Sequence, residues 1–260
     1  MRAFILAAGR GARLSPLTTE IPKCLLPLAE GVTILDSALD ALVAQGVNEV
    51  AVVSGHGHDA LARHLGAAWP PPRLSATVLY NERYDTADNI VSLARCRAAL
   101  PDGEGFLLLN SDVVFHPVIL ERLLAAEGAA LAVDERAALG AEEMKVRVGG
   151  GGRIVAISKY LDPASSRGEY IGLAKFTAPA ARALLSAIER WVAAGRVRAY
   201  YEDALHDVLG EVEVGVVPTD GAGWVEVDTP GDLNAARALY RSLRGERRER
   251  GAWRAPDQRS

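Results

Sequence analysis

An apolar segment near the amino terminus runs directly into a glycine-rich loop. Residues 3–6 are Ala-Phe-Ile-Leu, which is typical of a buried strand, and Gly9 and Gly11 follow among other small residues. Glycines lack a Cβ, so a ligand can approach the backbone there, and exposed N–H groups can hold phosphate oxygens. Arg13 and Lys23 add two positive charges beside the loop. The segment predicts a strand that ends at a site for a polyanion such as a nucleoside triphosphate.

The loop does not fit two common phosphate-binding patterns. Leu14 stands where a dinucleotide-binding strand–turn–helix motif needs its third glycine, which disfavours hydride chemistry. No Gly-Lys-Ser or Gly-Lys-Thr follows, which disfavours a P-loop kinase or GTPase. The pattern therefore points to a different kind of nucleotide site.

The later segments alternate between strand and helix patterns. Apolar runs at 49–54, 75–80 and 106–110 are typical of strands, and helical spacing of apolar residues begins at Ile34. This alternation predicts an α/β fold, with a mostly parallel sheet and helices on both faces. Such sheets bind ligands at the carboxyl ends of their strands, where the glycine-rich loop lies.

The chain is predicted to form one domain over residues 1–243. Its first half, 1–134, carries the nucleotide site, and its second half, 135–243, has a small β-rich part. Residues 244–260 are polar and at first strongly basic, which predicts a mobile tail.

Charge and composition narrow the range of partners. The 260 residues carry a formal net charge of −4, which does not favour binding to nucleic acid or to an anionic membrane. The sequence has no signal-peptide pattern and no apolar run long enough to span a bilayer. Two cysteines, Cys24 and Cys96, make neither a disulfide framework nor a zinc spacing. We expect a cytoplasmic protein that holds its anionic ligand with a local basic cluster.

The glycine-rich loop and the segment after it resemble one family. These residues are similar to nucleotidyltransferases that join a nucleoside triphosphate to a phosphorylated small molecule. The signature of that family is matched here by Gly9, Gly11, Arg13, Pro22 and Lys23. The resemblance covers about residues 1–243 and implies a Rossmann-like, nucleotide-diphospho-sugar transferase-like fold, in which residues 135–243 bind the acceptor.

A second segment resembles one branch of this family. Residues 88–93, Asp-Asn-Ile-Val-Ser-Leu, are similar to the branch that handles phosphocholine and related amino-alcohol phosphates or phosphonates. That branch usually has asparagine where Asp88 stands, so Asp88 is either a helix N-cap or a ligand contact. The Asn89 amide offers a donor and an acceptor, as reading a cytosine edge requires. The nucleotide-binding residues that the resemblance implies are Leu6, Ala7, Ala8, Gly9, Gly11, Ala12, Arg13, Lys23, Asn81, Thr86, Asn89 and Ser111.

Two aspartates follow predicted strands in distant parts of the chain. Asp112 comes just after the run at 106–110, and Asp228 closes an alternating segment at 224–228. The resemblance implies that both bind Mg²⁺, an ion that takes a few carboxylates together with water and phosphate oxygens.

The resemblance implies transfer of CMP from CTP to a small phosphorylated or phosphonate acceptor, with release of pyrophosphate. Lys23, Arg13 and Lys159 are then the catalytic residues, acting by positioning and charge compensation. A choline-like acceptor carries a cation that aromatic rings and carboxylates can hold. The acceptor-binding residues are predicted to be Lys145, Lys159, Glu169, Tyr201, Trp224 and Glu226.

Two other functions stay open at this point. A sugar-1-phosphate nucleotidyltransferase using UTP, TTP or GTP shares the amino-terminal motif. A catalytically inactive subunit could sense nucleotide and regulate a partner, although it would not need all of Arg13, Lys23, Asp112 and Asp228. The expected partners are CTP and a small acceptor, without nucleic acid or membrane, and a homodimer is left open.

Overall fold

The computed structural model describes residues 1–249, and residues 250–260 of the predicted tail lie outside the described residues. The strands are β1 (Arg2–Ala7), β2 (Pro27–Ala29), β3 (Val32–Thr33), β4 (Glu49–Ser54), β5 (Ser75–Tyr80), β6 (Phe106–Asn110), β7 (Val113–Phe115), β8 (Ala129–Asp134), β9 (Lys145–Val148), β10 (Ile154–Ser158), β11 (Gly168–Phe176), β12 (Val214–Pro218) and β13 (Trp224–Glu226). The helices are α1 (Ile34–Ala44), α2 (His58–Ala68), α3 (Asn89–Arg95), α4 (Pro117–Ala125), α5 (Ala178–Ala193), α6 (Tyr201–Val208) and α7 (Pro230–Glu249). None of these helices is both long and apolar enough to cross a bilayer.

A nine-stranded sheet runs through the described chain in the order β10-β9-β11-β6-β1-β4-β5, and β8 joins β11 to β12. The neighbours β6, β1, β4 and β5 are parallel. Strand β11 lies antiparallel to β6, β8 and β9, and so begins the β-rich part of the second half. The predicted fold class is confirmed, since helices cover both faces of this sheet.

The side chains of β1 point alternately into two apolar layers on opposite faces of the sheet. Phe4 packs into the layer that α3, α5 and α6 cover, and Ile5 packs into the layer that α1, α2 and α4 cover. Both side chains are fully buried, as expected for a central parallel strand with helices on both faces. Each such side chain stabilises the fold by about 1.5–3 kcal/mol. The end of β1, which carries the glycine-rich loop, is therefore rigidly supported.

A third apolar cluster fixes the glycine-rich loop itself. Leu14, the residue that replaces a third glycine, is fully buried and packs with Ile34, Val227 and Leu233. These partners belong to α1, to the segment after β13 and to α7. Leu14 thereby anchors the loop beside the segment that carries Asp228.

Helix α7 extends into the segment that the sequence predicts to be a tail. Thr229 and Asp232 form a capping box at its start: Thr229 N donates to Asp232 Oδ2 at 2.7 Å, and Asp232 N donates to Thr229 Oγ1 at 3.3 Å. The helix continues to Glu249, so residues 244–249, predicted as part of the mobile tail, are helical. Arginine and glutamate in this segment are good helix formers, and their polarity is no sign of a tail.

Candidate active site

A cavity of about 580 Å³ opens at the carboxyl ends of β1 and β6. Parallel sheets covered by helices bind their ligands at this end of the strands. Its walls come from the loop after β1, from the residues after β6, from β11 and from the start of α6. Both halves of the chain contribute to this one cavity.

The glycine-rich loop holds a left-handed turn against Lys23. Gly11 has φ 61°, and a Cβ there would stand 3.1 Å from Lys23 Cβ, so a side chain would be both strained and crowded. Thr18 Oγ1 donates to Gly11 O at 2.9 Å and fixes the turn. Within residues 1–249, the backbone N–H groups of Gly9, Arg10 and Gly11 donate to no protein acceptor. These free donors suit an anionic ligand.

Lys23 joins the two predicted metal-binding aspartates. Its Nζ lies 2.7 Å from Asp112 Oδ2 and 2.9 Å from Asp228 Oδ1, and Arg13 Nη2 lies 2.7 Å from Asp228 Oδ2. Burial disfavours the lysine's charge, but the two carboxylates outweigh it and raise the pKa of Lys23. Burial opposes ionisation of Asp228 as well, but Lys23 and Arg13 lower its pKa below the usual range.

Strand pairing explains how two aspartates so far apart in sequence meet. Strand β13 lies antiparallel to β7, with Glu226 opposite Val113. Val227 N then donates to Asp112 O at 2.9 Å. Asp112 precedes β7 and Asp228 follows β13, so this pairing places both carboxylates at the same end of the small sheet.

Glu226 completes a cluster of three carboxylates. Oxygens of Asp112, Glu226 and Asp228 lie within 4.8 Å of one another. Loss of hydration in the cavity wall and the charges of the two aspartates raise the pKa of Glu226 to about 8. Asp112 Oδ1 is buried without a hydrogen-bond partner among the described residues. A buried carboxylate oxygen without a donor is costly, so the cluster has the composition of a divalent-cation site.

Lys159, directly after β10, is a third cationic residue in the cavity wall. Its Nζ stands 3.5 Å from Glu142 Oε2 and 5.1 Å from the centroid of the Tyr200 ring. Glu169, on β11, faces the same cavity, where burial and the nearby Glu143 raise its pKa to about 7. The part of the wall around Lys159 therefore combines one lysine with several carboxyl groups.

The side-chain amide of Asn89 bonds to other residues of the protein, so it does not present a free edge to a ligand. Its Oδ1 accepts from Tyr201 N at 2.8 Å, and its Nδ2 lies 3.5 Å from Glu202 Oε2. The side chain thus ties the start of α3 to the start of α6. Asp88 stands at the N-cap position of α3 but makes no side-chain capping hydrogen bond, and it lines the cavity.

Most of the predicted site residues lie in the cavity wall. These are Leu6, Ala7, Ala8, Gly9, Gly11, Arg13, Lys23, Asn89, Ser111, Asp112, Lys159, Glu169, Glu226 and Asp228. Cys24 also lines the wall, where burial raises its pKa to about 12 and keeps it an inert thiol.

Three predicted nucleotide-binding residues lie outside the cavity wall. Ala12 is exposed in the short helical turn after Gly11. Asn81 is buried, where its Nδ2 donates to Ser92 Oγ at 3.0 Å and its Oδ1 accepts from Arg83 N. Thr86 is exposed and bonds back to its own turn. Asn81 and Thr86 shape the loop before α3.

Three predicted acceptor-binding residues are likewise engaged elsewhere. Lys145 is almost fully buried, and its Nζ donates to Gly140 O at 2.6 Å and Glu143 O at 3.0 Å. Tyr201 is buried with its hydroxyl 2.9 Å from that of Tyr170. Trp224 Nε1 donates to Asp134 Oδ2 at 2.8 Å. Each side chain bonds to another group of the protein, and none of the three lies in the cavity wall.

The structure adds cavity residues that were not selected from the sequence. Tyr200, Glu202 and Glu142 all face the cavity. Tyr200 and Glu202 flank Tyr201, and position relative to the start of α6 decides which of the three face the cavity. Two tyrosines followed by two acidic residues at a helix start carry that signal only weakly.

The loop, the lysine and the carboxylate cluster at this edge of the sheet define a nucleotidyltransferase class of site. The family described as the MobA-like NTP transferase domain matches residues 3–208, and the chain belongs to it.

Two sequence relatives and one solved structure are similar to this chain over most of its length. The chain is 30% identical to CMP-5'-(3-aminopropyl)phosphonate synthase from Streptomyces rubellomurinus, over 95% of this chain and 40% of that protein. It therefore spans well under half the length of this relative. It is 24% identical to 2-aminoethylphosphonate cytidylyltransferase from Lancefieldella rimae, over 90% of both chains. The inositol-1-phosphate CTP transferase structure from T. maritima superposes with a TM-score of 0.78 at 23% identity, over 94% of this chain and 96% of that one, which supports the fold.

Proposed function

We propose that the protein transfers CMP from CTP to a small phosphonate or phosphate acceptor and releases pyrophosphate. The observation that carries this proposal is Lys23 between Asp112 and Asp228, directly beside the free backbone donors of the glycine-rich loop. Two relatives named for CMP transfer to aminoalkylphosphonates support the choice of nucleotide and acceptor.

An oxygen of the acceptor's phosphonate or phosphate group attacks the α-phosphorus of CTP in line, and the bond to pyrophosphate breaks. This nucleophile is already anionic near neutral pH, so the reaction needs no strong general base. The difficulty is to bring several negative charges together, and catalysis is therefore positioning and charge compensation.

The chain's own groups divide this task. Lys23 neutralises charge that grows on the α-phosphate, and Arg13 with the loop N–H groups holds the departing pyrophosphate. Lys159 binds the anionic end of the acceptor. Lys23 and Arg13 give up their contacts with the aspartates when the substrates replace those negative charges.

Asp112 and Asp228 would hold Mg²⁺, and Glu226 stands close enough to join them. The unpartnered Asp112 Oδ1 and the all-oxygen composition fit this ion. When bound, it would supply positive charge that offsets the negative charges of the substrates.

A pyrophosphate-release assay tests the proposal. Each of CTP, UTP, TTP and GTP is combined with 2-aminoethylphosphonate, phosphocholine and glucose 1-phosphate. We expect release with CTP and an amine-bearing acceptor. Preference for glucose 1-phosphate with another nucleotide would support a sugar-phosphate nucleotidyltransferase instead, and no release with any pair would support a regulatory subunit.

A further inference from the structure

The charges in the cavity wall do not balance. Every cationic side chain there already has an anionic partner, namely Arg13, Lys23 and Lys159. Six carboxyl groups of the wall have no ion pair within residues 1–249, namely Asp88, Glu143, Glu169, Glu202, Glu226 and Asp232. Asp232 accepts backbone hydrogen bonds in the capping box of α7, Glu143 accepts from Gly140 N, and Glu226 belongs to the aspartate cluster. Asp88, Glu169 and Glu202 are the carboxyl groups left without these contacts. A ligand that binds there supplies positive charge.

Glu202 is the most buried of these groups, with 4% of its surface exposed. It lies in the first turn of α6 and reaches the cavity wall. The Tyr201 side chain and Asn89 Nδ2, at 3.5 Å from Oε2, are its neutral hydrogen-bond partners, and no lysine or arginine of the described chain pairs with it. A glutamate this buried is rarely left without a cationic partner. The cavity is the side from which that partner can arrive.

Two aromatic rings of the cavity wall, Tyr84 and Tyr200, already have a cationic side chain nearby. The Arg10 guanidinium lies 5.8 Å from the Tyr84 ring centroid, and Lys159 Nζ lies over Tyr200. Tyr170 is buried with its hydroxyl bonded to Tyr201. A quaternary ammonium has no N–H and depends on open aromatic faces. An ammonium with N–H groups instead bonds directly to a carboxylate.

We infer that Glu202 binds an N–H-bearing ammonium group of the acceptor, which selects short aminoalkyl phosphonates or phosphates over their quaternary counterparts. This inference rests on the proposed function and names the acceptor class. Lys159 stands over Tyr200, two residues before Glu202, so both ends of such an acceptor meet the start of α6. Glu202 and Lys159 then bind opposite charges at the two ends of a short molecule.

Three acceptors of matched shape test the inference on the unmodified protein. They are 2-aminoethylphosphonate, its N,N,N-trimethyl analogue, and propylphosphonate, in which a methyl group replaces the ammonium. We expect kcat/KM with CTP to be at least about 100-fold higher for the primary amine than for either analogue. Equal values for the primary amine and propylphosphonate, or a preference for the trimethyl compound, would overturn the inference.

A paired substitution tests the residue. Glu202→Gln keeps the side-chain shape, and we expect it to bring the ratio of kcat/KM between the primary amine and propylphosphonate close to one. Glu211→Gln, an exposed glutamate outside the cavity, is the matched control and keeps the wild-type ratio. A Glu202→Gln protein that still prefers the amine by about 100-fold would contradict the assignment.

Binding separates this inference from the proposed function. If no nucleotide is turned over, calorimetry with the same three acceptors decides: tighter binding of the primary amine supports the ammonium site, and equal or absent binding overturns it. Turnover without any preference for the amine leaves the proposed function intact and removes only the role of Glu202.

Discussion

The two sides of the cavity treat charge in opposite ways. On the nucleotide side, Lys23 and Arg13 are paired with Asp112 and Asp228, so the positive and negative groups already neutralise one another. On the acceptor side, Glu202 lies against the cavity with no cationic partner in the described chain.

This difference indicates what each side binds. A triphosphate arrives with its own negative charge and can replace the carboxylates as the partner of lysine and arginine. An unpaired buried carboxylate instead calls for a ligand that brings a cation. The following experiments test whether the two sides of the cavity differ in this way.

Removal of Lys23 has the largest expected effect. Lys23→Ala is expected to lower kcat for CTP by about 100–1000-fold, because the charge that compensates the α-phosphate is lost. Pyrophosphate release at saturating substrates measures it, with Arg182→Ala on the exposed surface of α5 as the control. Near-normal turnover in a folded Lys23→Ala protein would show that the paired side of the cavity is not where the chemistry occurs.

Removal of Lys159 separates the two sides. Lys159→Met is expected to raise KM for the acceptor by about 10–100-fold and to change KM for CTP by less than about threefold. The methionine keeps the length of the side chain and removes its charge. Initial rates with each substrate varied in turn give both constants. A matching rise in KM for CTP would mean that the two sides are not distinct.

Glu202 is expected to make stability depend on pH. Burial raises the pKa of Glu202 from 4.5 to about 7, so the folded state binds more protons than the unfolded state between these values. The neighbouring titratable groups, Tyr170, Tyr201 and Asp203, add no positive charge that would offset this. Protonated Glu202 therefore contributes its full stabilisation below about pH 4.5, and this stabilisation is lost as the pH rises through about 7.

Glu202→Gln removes this loss. Its free energy of unfolding should match that of the wild type near pH 4.5 and exceed it by up to about 3 kcal/mol at pH 8. Urea denaturation at both pH values measures the difference, and Glu211→Gln should show none. If the difference in the free energy of unfolding between the wild type and Glu202→Gln does not change with pH, the carboxyl group of Glu202 is not both buried and unpaired.

The smallest expected effect is that of magnesium on the free protein. Because Lys23 spans both aspartates, about 5 mM Mg²⁺ alone should raise the wild-type melting temperature by less than about 1 °C. Lys23→Ala frees the carboxylates, so its melting temperature should rise by about 2–3 °C. The double variant with Asp112→Asn should lose this response. An equal response in the wild type and Lys23→Ala would show that the lysine does not compete with the ion.

The sequence revealed the parts of the site that short segments determine. Gly9, Gly11 and Lys23 lie within one segment, and their placement at the end of β1 follows from the apolar strand before them. The alternating segment at 224–228 that ends at Asp228 was also recognisable. The family resemblance supplied the expectation that this aspartate joins Asp112.

The acceptor side depends on contacts between distant segments, and the sequence did not resolve it. Trp224 looks available in sequence, but its Nε1 donates to Asp134, which only the folded chain brings near. Lys145 is also engaged, because its side chain turns back onto the carbonyl oxygens of Gly140 and Glu143 in the loop before it. The start of α6 illustrates the same limit. Tyr201 turns inward to Tyr170, whereas Glu202 reaches the cavity, and one residue of helical rotation separates these outcomes.

The most direct test of the account follows the phosphorus atoms. Phosphorus-31 NMR of the protein with CTP, Mg²⁺ and 2-aminoethylphosphonate should show pyrophosphate together with two mutually coupled signals, one from a phosphonate and one from a phosphate. That coupling requires the new P–O–P bond between acceptor and CMP. Unchanged CTP, or pyrophosphate that appears with free CMP and an unaltered phosphonate signal, would contradict the account.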